Sequence, residues 1–160
     1  MTETLPVAGF DLTSLTCSVS GYGTSATPNQ ATGTVSITLG TAGGGTVTCT
    51  YVNTLRPGHI IVDKVTVPSE DPQSFDFTPD YGAAFSLTDE SAPNDSGALV
   101  PGTYSVTETV PEGWDLATPV VCSDGSSNTA IVLDPGETVT CVFTDTKRGN
   151  LIIEKIAIGG

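Results

Sequence analysis

The stretch Gly102-Thr-Tyr-Ser-Val-Thr-Glu-Thr-Val-Pro-Glu-Gly-Trp114 alternates as a strand does. A period of two puts Tyr104, Val106 and Glu108 on one face and Ser105 and Thr107 on the other. A carboxylate therefore stands in an apolar row, where it is tolerated only if neutral or closely partnered. What meets Glu108 inside the fold is the question that organises the rest of the chain.

Working outward, the same pattern occurs twice. Thr2-Glu3-Thr4-Leu5-Pro6 followed by Gly9-Phe10-Asp11-Leu12 matches Thr107-Glu108-Thr109-Val110-Pro111 followed by Gly113-Trp114-Asp115-Leu116, and Cys17 then matches Cys122. The run Gly45 to Thr54 matches Gly136 to Thr146, with one residue inserted, and His59-Ile-Ile-Val-Asp-Lys64 matches Asn150-Leu-Ile-Ile-Glu-Lys155. The offsets, 141 − 49 = 92 and 155 − 64 = 91, fit the size of one small β-sandwich. The expected organisation is 1–54 as the second half of one repeat, 55–147 as a complete repeat, and 148–160 as the first strand of a following one. A single domain with accidental similarity would have to produce four matched blocks in the same order.

Composition agrees with an all-β chain. Charged residues are 14% of the sequence, while Gly, Thr, Ser and Val dominate and good helix formers do not run together. In the complete repeat, strands are expected near 59–67, 74–78, 83–88, 102–108, 118–122, 129–133 and 138–145, with Phe75, Phe77, Phe85, Leu87 and Trp114 as core anchors. Eighteen acidic against five basic residues, net −13, argue against nucleic-acid binding. No run of 18 apolar residues predicts a membrane span, and the first residues lack the basic and apolar parts of a signal peptide, so any export address is expected to lie elsewhere.

The cysteines fall one pair per copy, Cys17 with Cys49 and Cys122 with Cys141. A disulfide in each is the natural expectation. Closing 122–141 contributes about 3 kcal/mol by loop entropy and implies an oxidising, extracellular setting. The rivals are reduced buried thiols, or a metal site, which the absence of a Cys-x-x-Cys pair and the single histidine, His59, count against.

Two further ionisable groups share the position of Glu108 on inward faces. Lys64 lies with Ile60 and Val62, and its mate Lys155 with Leu151 and Ile153. Asp145 lies with Val139, Cys141 and Phe143, and its mate Asn53 with Val47, Cys49 and Tyr51. Burial favours neutral amine and neutral acid, which are a nucleophile and an electrophile. A nearby glutamate can polarise the carbonyl and move protons. The expected product is an amide between Lys64 and Asp145, formed once with loss of water and promoted by Glu108, which is self-crosslinking and not enzymatic turnover. An unreacted, hydrogen-bonded Lys–Glu–Asp cluster satisfies the same pattern, and a one-residue register slip would expose all three groups.

Lys64 in a first strand, then Gly102-x-Tyr104-x-x-x-Glu108, then Pro111-x-Gly113-Trp114, then a last strand ending in Asp145, resembles the prealbumin-like, SpaA/CnaB-type repeats of bacterial surface proteins and pilins. The resemblance spans 55–147 and, in part, 1–54 and 148–160. It implies prealbumin-like or immunoglobulin-like sandwiches that act as stalk or adhesive modules at the cell surface, commonly stapled by a Lys–Asn or Lys–Asp isopeptide bond. Two departures stand out: paired cysteines are not usual in that pattern, and no sortase sorting signal is present. The expected partners are neighbouring repeats or other copies of the chain, with no identified host or surface ligand. A terminal lysine strand adding to the half-repeat of another copy would build a filament.

Other readings are weaker. A carbohydrate- or protein-binding accessory module would need an exposed aromatic platform, for which Trp114, Tyr22 and Tyr81 are the candidates. Asp89-Glu90, Asn94-Asp95 and Asp124 stand in turns without a 12-residue calcium loop. Gly43-Gly44-Gly45 precedes a strand and so reads as a turn and not a phosphate cradle. His59 at a strand edge offers no Ser/His nucleophile pair. No metal or other cofactor is expected.

Overall fold

The computed structural model describes residues 1–41, 44–156 and 158. Among these there is no α-helix, and the chain divides into two compact units. The first takes Met1–Gly58, Ala98–Gly102 and Asp134–Glu137, and the second His59–Gly97, Thr103–Leu133 and Thr138–Gly160. Gly43 of the expected glycine turn lies outside the described residues, as do Ala157, Gly159 and Gly160.

In the first unit β1 (Phe10–Ser20) pairs antiparallel with β4 (Thr46–Leu55), which sets Cys17 opposite Cys49. β2 (Ser25–Asn29) and β3 (Thr34–Thr38) form a hairpin closed by a short 3-10 turn, Gln30–Thr32. The chain leaves that turn through Gly33 at φ 62°, where an added Cβ would stand 2.8 Å from the Glu3 carbonyl. Gly33 in turn accepts the Glu3 N–H at 2.9 Å, seating the N-terminal segment beside β3. Burial here is shallow. The inward residues of β4, Val47, Cys49, Tyr51, Asn53 and Leu55, are only half-buried.

The second unit is better filled. β5 (His59–Val67) runs parallel to β13 (Thr138–Lys147), whose other edge pairs with β11 (Trp114–Leu116), while β8 (Asn94–Asp95) caps the far edge of β5. β6 (Phe75–Pro79) lies between β7 (Phe85–Leu87) and β10 (Val106–Thr109) in a second sheet. β9 (Gly102–Tyr104) pairs with β12 (Ile131–Leu133). The two larger sheets face each other through aromatic rings: Phe77 meets Phe143 edge-on at 5.1 Å and Phe75 meets Trp114 at 5.2 Å. Strict alternation builds this core, Ile60 and Val62 from β5, Phe75 and Phe77 from β6, Val139, Cys141 and Phe143 from β13, all closed to solvent.

Several expected elements differ. The stretch 102–108 is broken at Ser105, whose N–H and hydroxyl both bond Asp80. No continuous strand forms over 118–122, because Pro119 has no N–H to offer a ladder; Val121 and Cys122 make isolated bridges to Ser127 and Cys141. A strand forms instead at Trp114–Leu116, and 129–133 shortens to Ile131–Leu133. Phe85 is half-buried, stacked on Phe77 at the sheet margin. The described residues of 148–158 make no β-ladder.

Candidate functional site: a buried lysine, aspartate and glutamate

Parallel pairing of β5 with β13 sets Lys64 opposite Phe143. Asp145 is two residues further along the same inward face, within reach of a long side chain leaning along its strand. Lys64 Nζ lies 2.5 Å from Asp145 Oδ2 and 3.3 Å from Glu108 Oε1, and all three side chains have no solvent exposure. Nζ also donates to the carbonyls of Val65 and Phe143 and sits 4.0 Å over the Phe75 ring. Glu108 comes from β10, the opposite sheet, so the three groups meet across the centre of the sandwich.

The amine is well held and the oxygens are not. Asp145 Oδ1 and Glu108 Oε2 are buried without a hydrogen-bond partner, and Glu108 Oε1 has only its 3.3 Å ion contact with Lys64 Nζ, a condition that costs about 1–3 kcal/mol per unpaired group or more for charges. Burial pushes the Glu108 carboxyl up to about 7, with the Asp145 charge adding to the rise and the Lys64 charge opposing it. Glu108 is thus an acid that holds or releases a proton near neutrality, in a site closed to water.

The matching residues of the first unit also meet. Asn53 Nδ2 donates to Glu3 Oε1 at 2.8 Å, and Glu3 Oε2 and Asn53 Oδ1 are buried with no partner. Each unit carries its disulfide, Cys17–Cys49 and Cys122–Cys141. Lys155 lies among the described residues after Arg148, which make no β-ladder and which the structure does not bring to either cluster.

A family model for a prealbumin-like fold domain of the SpaA type matches residues 1–55 and 60–147. The chain belongs to that family. No curated protein and no solved structure gives a match.

The other candidate positions in this prealbumin-like chain are engaged locally. Asp89 accepts from the N–H groups of Glu70 and Thr66, which hold its carboxyl below the usual range. Asp95 bonds His59 Nδ1 at 2.9 Å and the Gly97 N–H, and Asp124 bonds Ser126. Trp114 is buried against Phe75, so it offers no face to a sugar, and Tyr81 packs edge-on to Tyr104 with its hydroxyl buried and pushed up to about 12 by that burial and by Asp80. Tyr22 is exposed.

Sequence reasoning missed Phe75 beneath the amine and the two carbonyls that hold it. It also missed a matched pair of ion contacts, Arg56 with Asp11 and Arg148 with Asp115. Arg56 follows β4 and Arg148 follows β13 at an offset of 148 − 56 = 92, and that spacing was the available signal.

Proposed function

We propose that this chain is a segment of an extracellular stalk built from tandem prealbumin-like sandwiches, in which the complete repeat over 55–147 is stapled by an amide between Lys64 and Asp145. The observation that carries this reading is the 2.5 Å contact of Lys64 Nζ with Asp145 Oδ2, both side chains wholly buried, with Glu108 alongside. A proton passing from Nζ to Oδ2 turns the ion pair into a neutral amine and a neutral acid. The nitrogen lone pair then attacks Cγ while protonated Glu108 supports the negative charge growing on Oδ1. Oδ2 leaves as water, the second amine proton passes through Glu108, and the net change is one N–C bond gained and one water lost. Glu108 is regenerated, yet the substrate is the protein itself, so the event happens once per molecule.

The orphaned oxygens support the same reading. Condensation removes one Asp145 oxygen, and the other becomes an amide carbonyl that protonated Glu108 can bond. The site as folded is therefore poorly satisfied as an ion cluster and well suited as a set of reactants. The two cystines support an oxidising, extracellular setting, and the SpaA-type family supports a structural role at a cell surface. Buried Trp114 weighs against a carbohydrate platform. The test is intact mass after reduction and denaturation: a chain lighter by one water supports the staple, and the full sequence mass refutes it.

A further inference from the structure

In the second unit a cavity of about 270 Å³ opens between the edge strands of the two facing sheets. Among the described residues β7 pairs with β6 alone and β8 with β5 alone, so each leaves one edge without a ladder. One wall is Tyr81, Ala84 and Phe85, from the β6–β7 connection and the start of β7, and the other is Asn94, Asp95 and Ser96, from β8 and the residue after it. Every described lining residue falls within 79–96, inside the complete repeat, so the cavity is built by one internal stretch and by neither end of the chain.

The polar groups of this cavity suit a cation. Asp95 Oδ1 accepts from His59 Nδ1 at 2.9 Å and from the Gly97 N–H at 2.8 Å, which fixes the carboxylate and holds its pKa below the usual range. Its other oxygen, Oδ2, has no hydrogen bond among the described residues. Tyr81 brings a buried hydroxyl that also lacks a partner, a group that costs free energy until something bonds it. None of the described lining residues is basic, and the chain carries a net charge of −13, so the surrounding field draws cations in.

We propose that this cleft receives a lysine side chain from an extended segment of another protein, laid along the open edge of β7. Phe85 faces inward, stacked on Phe77, so a strand added beside it points every second side chain between the sheets and toward Asp95. The aliphatic stem of the lysine covers Phe85 and Ala84, and its ammonium meets Asp95 Oδ2 and the Tyr81 hydroxyl. Lysine is favoured over arginine because a guanidinium fork engages both carboxylate oxygens, and Oδ1 is already taken by His59 and Gly97. A site of about 270 Å³ holds one side chain and not a whole small-molecule ligand. Main-chain bonds to β7 supply the affinity and the lysine the selectivity. The site is separate from the Lys64 staple and gives the stalk a partner of its own.

The experiment titrates the full, isotope-labelled chain with the capped peptide acetyl-Thr-Val-Lys-Val-Thr-amide and reads amide shifts by NMR. Shifts are expected at residues 83–87 and 94–97. Asp95 is 55% exposed, so its ion pair is partly screened, and norleucine in place of the peptide lysine should weaken binding about three- to tenfold. Arginine at that place should also bind more weakly than lysine. Asp95→Asn should weaken the lysine peptide by the same factor as norleucine does and leave the norleucine peptide unchanged. Should that variant fail to fold, the comparison of lysine with norleucine on the wild-type chain decides the matter alone. No shift at millimolar peptide, shifts confined to other residues, or a norleucine peptide that binds as tightly as the lysine one overturns the site. An arginine peptide as tight as the lysine one overturns the assignment of a single free carboxylate oxygen as the selector.

Discussion

Glu108→Gln keeps the size and shape of the side chain and removes its transferable proton. Loss of a positioned acid slows a reaction of this kind about 10²–10⁴-fold, so freshly folded variant should retain the water that wild type has lost. The stability consequence follows from the loop that the amide closes. Lys64 and Asp145 are 81 residues apart, and the Cys122–Cys141 disulfide, 19 residues in separation, shortens that loop from within. Loop entropy for about 60 remaining residues gives about 4 kcal/mol. In a unit of this size each kcal/mol moves the midpoint by about 4–8 °C, so the thermal transition of the second unit should fall by about 15–30 °C. A cluster that never reacted would lose only about 1–3 kcal/mol on the same change. The assay is intact mass of reduced, denatured protein beside calorimetry. Wild-type protein at the full sequence mass, or a variant as light as wild type as soon as it folds, would refute the reasoning.

Asp145→Asn should converge on the wild-type mass, because amine attack on the carboxamide releases ammonia and leaves the identical amide; a variant that keeps its full mass breaks the proposed attack at Cγ. Water loss during refolding should slow as pH rises through about 7, since Glu108 is raised by burial and its acid form is populated below that value; stopped refolding read by mass checks the sign. The double change Cys122→Ser and Cys141→Ser should cost about 3 kcal/mol in urea unfolding while leaving the water loss intact. Pulled by its ends with the Cys122–Cys141 disulfide intact, the stretch 59–147 should open to a contour of only about 30 Å when stapled and of about 250 Å in Lys64→Arg, at about 3.5 Å per residue, as read by single-molecule force extension.

Much of the site was legible because a period of two is local information. Ile60, Val62 and Lys64 alternate with Ile61 and Asp63, and Val139, Cys141, Phe143 and Asp145 do the same, so each ionisable group could be placed inward strand by strand. The pairing that brings them together is not local. Nothing between residues 64 and 145 says that the first strand lies parallel beside the last, and only the inward burial of both sheets fixes that register. The disulfides were legible for a different reason, since the sequence matches set each pair at one place in its copy. The break at Ser105 and the failed strand at 118–122 turn on single side chains, the Asp80 carboxylate and the Pro119 ring. Phe75 was legible as core, but its place under an amine depends on how two sheets face each other.

The disulfide and the proposed amide would do different mechanical work, because of how one nests inside the other. β5 opens the 59–147 stretch and β13 closes it, side by side and parallel, so tension applied at the two ends shears that ladder directly. An amide from Lys64 to Asp145 carries the tension across after the first few residues of β5 and delivers it to the last few of β13. Every residue between them is relieved of load, including Cys122 and Cys141. With the proposed amide in place, the disulfide would sit where force does not reach, restricting the unfolded chain, while the amide would lie on the force path itself. A disulfide placed on that path would remain open to thiol exchange, whereas an amide buried between Phe75 and Phe143 is closed to water and to reductant alike. For a module pulled along its length, that position between first and last strand is the one at which a single bond protects the whole fold.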